Sequence, residues 1–301
     1  MRTTRRQLLS GLAATSIVPF AYSATMERML LSGADTIDDL RLVTGLNEAR
    51  WEDARTWSSR GAAGLPESHQ GKLFTDTDEC KAIDNGRSIL ATASSGGVVI
   101  YDRASLETKF YASAANAHSA CLLPGGYVVV AASVNARGNA LVIFHRSRSA
   151  QEIFRTPLES AHGVVWDERR KVLFAIGMTD VEEYRFDPEN QERPLQLLRQ
   201  HRMPTGGGHE LSPGPSENLL FASGTEAVYL FDKDSKQFRL HPELGKLHHV
   251  KSISLHPKTG RIAYMMADPG EGVWWSYRVR FLNPTGEIAS PGKRLYKVRW
   301  G

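Results

Sequence analysis

Apolar and polar positions follow one grammar along most of the chain: a short run opening on a polar residue, a polar turn, then an apolar run of five or six residues. Ala161 to Gly177, AHGVVWDERRKVLFAIG, shows it in full. The run from Val172 to Ile176 is too short for a buried helix and suits a covered strand. The pattern returns as ECKAIDNGRSILATAS from Glu79, AHSACLLPGGYVVVAAS from Ala117, GHELSPGPSENLLFAS from Gly208 and VKSISLHPKTGRIAYMMA from Val250.

Aligned on their turns, the units open at Lys81, His118, His162, His209 and Lys251, with Lys297 of the terminal YKVRW as a sixth; His249 competes with Lys251 for its slot. The openings are 37, 44, 47, 42 and 46 residues apart. Short strands repeating at that period predict propeller blades, hence an all-β, six-bladed β-propeller. Predicted strands include Ser88 to Ser94, Tyr127 to Ser133, Ala140 to His145, Leu219 to Ser223 and Arg261 to Met266. Leu40 to Gly45 and Ala49 to Asp53 have no inner strand before them, and YKVRW has no outer strands after it. The two ends are therefore expected to share one blade and close the ring. One propeller domain is expected over residues 35–301.

Composition narrows the classes. A hydrophobic content of 41% with 26 Gly and 14 Pro fits many strands joined by turns, and no mature segment has the apolar length of a membrane span. The formal charge is +4, of which Arg2, Arg5 and Arg6 supply three, leaving 34 basic against 33 acidic residues. No nucleic-acid partner is implied. Residues 1–23 read as a targeting segment, with a basic start, an apolar stretch from Leu8 to Ala21 and small residues at the exit. Thr4-Arg5-Arg6-Gln7-Leu8-Leu9 resembles the twin-arginine export signal, which implies a periplasmic or secreted protein. Cys80 and Cys121 stand at different offsets from their unit openings, and either a disulfide or two buried thiols fits them.

The set AHSACLLPGGYVVVAAS, AHGVVWD, PTGGGHELSP, VKSIS with VWW downstream, and YKVRW resembles a family of exported bacterial β-propeller proteins catalogued as a domain of unknown function. The resemblance covers roughly residues 79–301 and implies the propeller fold and export, but no activity. Some other exported propellers are polysaccharide lyases or glycoside hydrolases, an analogy of fold alone.

The first residues of the inner strands should surround one mouth of the central channel. His118, His162 and His209 then fall on three consecutive blades, and Lys251, Lys297 and Lys81 on the other three. Three ammonium groups about 10 Å apart repel by roughly 1.7 kcal/mol per pair at an effective dielectric near 20. An anion is needed to offset this: Glu79, Glu210 or a bound ligand. Lysine only donates, so an acceptor-rich ligand such as an acidic sugar is expected, with Lys81, Lys251, Lys297, His249 and Glu210 as its contacts. The histidines are candidate catalytic acid and base groups, or ligands to one divalent Zn- or Mn-like ion. Trp274 and Trp275 are either cover for apolar surface or a sugar platform. Lyase-type elimination on an anionic glycan is the favoured chemistry. Hydrolysis, binding without turnover, and a protein scaffold using loops such as Arg193 to Met203 remain open.

Overall fold

The computed structural model describes residues 25–44, 49–290 and 292–301; the targeting segment and its Thr4 to Leu9 motif lie outside them. Six four-stranded antiparallel sheets stand around a central axis as propeller blades. Their inner strands are Lys297–Trp300, Thr77–Ile83, Ala117–Leu123, Gly163–Asp167, Glu210–Pro213 and Val250–Leu255. These belong to blades one to six in that order.

Blade one is shared between the chain ends, as the unpaired N-terminal strands predicted. Lys297–Trp300 pairs antiparallel with Thr25–Gly33, with Ser32 opposite Lys297 and Met29 opposite Trp300. Thr36–Thr44 and Ala49–Ser58 complete it. The ring therefore leaves no open inner edge. Thr25–Gly33 precedes residue 35, where the apolar pattern places the start of the propeller, because this strand follows directly on the apolar targeting segment and merges with it in the sequence.

The core consists of six apolar clusters between successive blades. The inner strands contribute to every one, with Cys80, Ala120, Val164, Leu211, Ile253 and Val298 at equivalent positions. Cys80 is buried in the cluster between blades one and two, whereas Cys121 packs on the one between blades three and four. Both cysteines are free, which decides between the two readings in favour of unpaired thiols. Burial holds the Cys80 thiol up at about 12 and that of Cys121 at about 11, leaving both inert.

Two further expectations change. Leu195–Arg202, read as a loop suited to partner binding, is the outer strand of blade four. Solvent covers one face of an outer strand, so its sequence is largely polar and hides the pattern. The strand expected over Ala49 to Asp53 runs on to Ser58 as the outer strand of blade one and carries Trp57, which stacks on Tyr101 at 5.1 Å between centroids.

Candidate functional site at the axial mouth

A β-bulge at the start of each longer inner strand sets the mouth. Register slips fall between Thr77 and Cys80, Ala117 and Ser119, and Val250 and Ser252. Such a bulge re-aims side chains. Here it places Asp78, His118 and Lys251 at equivalent positions. In the other three blades the equivalent residue lies just before the first strand pair. His162, His209 and Tyr296 each donate a backbone N–H to the neighbouring strand, at Ile176 O (3.0 Å), Ser223 O (2.8 Å) and Ser32 O (2.8 Å).

The mouth is therefore formed by Asp78, His118, His162, His209, Lys251 and Tyr296. Together with Ser94, Asn116 and Trp274 they line a cavity of about 350 Å³. The expected ring of three histidines and three lysines is corrected at two places. Lys297 lies one residue beyond Tyr296 and is fully buried on the axis. Lys81 lies three residues beyond Asp78, and its ammonium bonds Ala120 O (3.0 Å), Val164 O (3.2 Å) and Ser119 Oγ (3.2 Å). His249 is exposed and does not line the cavity.

Beneath the mouth the axis is closed by charge. Arg299 donates to Glu79 Oε1 (2.8 Å) and Oε2 (3.0 Å), and to both oxygens of Glu210 (3.0 Å each). Lys297 Nζ stands 3.2 Å from Glu210 and 3.6 Å from Glu79, and Lys81 Nζ 3.2 Å from Glu79. Burial opposes ionisation of Glu79, but the Arg299, Lys81 and Lys297 charges hold its carboxyl far below the usual range. Two carboxylates thus meet three cations, which supplies the offset that the lysines required. Glu210 belongs to this floor and not to the cavity lining. In blade four the equivalent second position is Gly163, where a Cβ would meet Leu211 N at 2.7 Å.

The mouth groups are polar, buried and incompletely bonded. His118 Nδ1 and Asp78 Oδ2 are 3.8 Å apart, too far for a hydrogen bond, and neither has another partner. His209 Nδ1 is also without a partner, while Lys251 Nζ lies 2.9 Å from His209 Nε2. His162 Nδ1 donates to Ser160 O at 2.7 Å, which leaves Nε2 as the acceptor. A buried polar atom without a bond is costly, and such atoms mark bound water, ions or ligands.

Burial pushes the mouth groups toward their neutral forms. It raises Asp78 well above the ordinary carboxyl range, against the opposing charge of Lys297 and hydrogen bonds from Ser94. It lowers His118 and His209 far below neutrality, helped by His162 in the first case and Lys251 in the second, and it lowers His162 to about 4. Lys251 falls to about 8 through burial and the nearby Lys297 charge, so it remains largely cationic at neutral pH. Burial, with the Glu210 and Glu79 charges, raises the Tyr296 phenol well above its ordinary range.

The imidazoles stack edge to face. His118 and His162 centroids are 4.3 Å apart, and those of His162 and His209 5.2 Å. His162 and His209 each spend one nitrogen on a protein partner. Among the described residues no group of three or more His, Cys, Asp or Glu is arranged to hold a metal ion. Trp274 stands on the cavity wall 5.4 Å from Tyr296, while Trp275 packs against it, and the Arg294 guanidinium lies over both indoles at 5.5 and 5.3 Å. Tyr296, Asp78, Ser94 and Asn116 are the site residues that the turn-based alignment missed. Asp78, His118, His162 and Lys251 each stand six residues before the first residue of the following turn (Asp84, Pro124, Glu168 and Pro257), a constant offset that would have found Asp78.

Comparison with known proteins agrees with the fold. The model of a family of unknown function, DUF6528, matches residues 46–301. No curated protein matches the chain in sequence. Similar solved structures include a chain of the Mitotic Checkpoint Complex, with TM-score 0.56, 13% identity, and 99% of this chain and 92% of that chain covered. A chain of a Nidogen/Laminin complex gives TM-score 0.58 at 12% identity, covering 90% of this chain and 97% of that one. Hydrazine synthase of Kuenenia stuttgartiensis gives 0.50 at 14%, covering 67% and 61%. These likenesses carry the propeller fold alone. No helix among the described residues is long and apolar enough to cross a membrane.

Proposed function

The chain belongs to DUF6528, a family of unknown function, and from the site itself we propose that it is an exported propeller whose axial mouth binds one acidic sugar residue and cleaves its glycosidic link by elimination. The observation that carries this reading is the gathering of three orphaned buried atoms, Asp78 Oδ2, His118 Nδ1 and His209 Nδ1, around one cavity that also holds Lys251 and an indole face. A hydroxyl-rich ligand would satisfy these atoms, and a carboxylate would pair with Lys251. Trp274 offers the flat apolar surface on which a sugar ring stacks. At about 350 Å³ the cavity lies at the small end of the usual range of roughly 300–1,000 Å³. With the axis closed beneath, it suits a chain end and not an internal residue.

The chemistry follows from which nitrogens are open. Lys251 and the His209 Nδ1–H hold the uronate carboxylate and reduce its charge, which acidifies the adjacent carbon. His162 Nε2 removes the proton from that carbon. The released electron pair forms the ring double bond, the neighbouring C–O bond breaks, and protonated Asp78 supplies a proton to the leaving oxygen. Proton exchange with water resets His162 and Asp78. No step requires a metal.

One observation favours binding without turnover: an imidazole held at about 4 is a weak base. Incubation with oligosaccharides whose uronate residue carries the glycosidic bond at its 4-position, followed by ultraviolet absorbance beside reducing-end release, separates the cases. Elimination gives both signals and hydrolysis gives reducing ends alone. Saturable binding with neither signal would replace catalysis by a sugar-binding module.

A further inference from the structure

The axial mouth is not the largest cavity on the molecule. At the opposite end of the propeller, between blades one and two, a cleft of about 740 Å³ is lined by Arg28, Arg41, Arg55, Arg87 and Arg103. Blade one contributes Arg28, Arg41 and Arg55 from its three N-terminal strands. The other two come from turns of blade two, after Thr77–Ile83 and after Gly97–Asp102.

Among the described residues, Asp39 and Asp102 are already committed. Asp39 accepts from both Arg28 (3.0 and 3.2 Å) and Arg103 (2.7 and 2.9 Å), so one carboxylate serves two guanidinium groups. Asp102 accepts from the backbone of Ala104 (3.0 Å) and Ser105 (2.7 Å) and from the Ser105 hydroxyl, which fixes its own turn. Arg55 and Arg87 bond backbone carbonyls, those of Ala104 and Asp84. Each such bond engages only one of the five N–H donors of a guanidinium and brings no negative charge. Both side chains are exposed at the cleft.

We infer that this cleft is a second binding site, for a ligand carrying at least two adjacent oxyanion groups. Planar guanidinium forks match oxyanions through paired N–H bonds, and several of them around one opening favour multivalent anions over single ones. The site is independent of the axial mouth, since the two lie at opposite ends of the inner strands and share no residue.

The test is calorimetric titration of the full chain with pyrophosphate, inorganic phosphate and citrate. Pyrophosphate is expected to bind once per chain, to weaken with added salt, and to bind at least about tenfold tighter than phosphate. Citrate reports whether carboxylates serve as well as phosphates: saturation by citrate makes the site one for multivalent anions generally, and its absence restricts it to phosphate-type groups. The double variant Arg55→Ser/Arg87→Ser should weaken pyrophosphate by about tenfold or more with an unchanged melting temperature. Lys251→Met should leave pyrophosphate binding unaltered. No saturable binding, full binding by the double variant, or loss of binding in Lys251→Met would each overturn the assignment.

Discussion

Replacing His162 with Asn isolates the cost of keeping an imidazole neutral at the mouth. The Asn amide can donate to Ser160 O as His162 Nδ1 does, but it does not titrate. The folded imidazole titrates at about 4, and the unfolded one near 6.5. With the folded value below the unfolded one, the unfolded state takes up the proton first. Stability is therefore complete above about pH 6.5 and is lost as pH falls toward 4. At pH 5 this linkage amounts to about 2 kcal/mol, and at pH 4 to about 3 kcal/mol. Urea denaturation at pH 7 and pH 5 should show wild type losing about 2 kcal/mol more than the variant over that interval. His118 and His209 add losses of the same sign that both proteins retain. Identical pH dependence in the two proteins would refute the claim that His162 is buried neutral.

Arg299→Met should be among the most damaging single changes, because it leaves Glu210 with only Lys297 at 3.2 Å. Breaking such a network costs about 3–5 kcal/mol, which for a domain of roughly 280 residues lowers the melting temperature by about 5–9 °C; an unchanged melting curve would contradict it. Asp78→Asn should raise the melting temperature at pH 7. The folded carboxyl is raised above its unfolded value, so its contribution is complete in acid and is lost as pH rises past about 3.9; a lower melting temperature would count against a protonated Asp78. Chelator treatment should leave sugar binding intact, and loss restored by added Zn²⁺ or Mn²⁺ would return the histidines to a ligand role. Replacing Arg5 and Arg6 with Lys should leave uncleaved precursor in the cytoplasm, and normal export of that variant would remove the twin-arginine reading.

The propeller was legible because strand, turn and strand recur with little disturbance from Ala117 to Gly177 and again from Val250. Closure was legible too, since YKVRW lacks outer strands and Leu40 lacks an inner one. Register at the mouth was not. Lys81 carries the expected charge, but the two residues between Thr77 and Cys80 face a single partner, so the mouth position falls to Asp78. A bulge inserts one residue without changing composition, and the apolar pattern around it still reads as a strand. Tyr296 was hidden for a related reason: it lies just before the last strand, and a buried tyrosine beside a buried lysine gives no sign of which one faces the cavity.

The central claim, that the mouth receives an acidic sugar on Lys251, is tested most directly by calorimetric titration with a uronic acid and with its neutral parent sugar. The account predicts one site per chain and preference for the uronate. Affinity should fall as pH rises through about 8, where Lys251 loses its charge. Lys251→Met should abolish the preference. Equal affinity for both sugars, or a uronate affinity that Lys251→Met leaves unchanged, would contradict it.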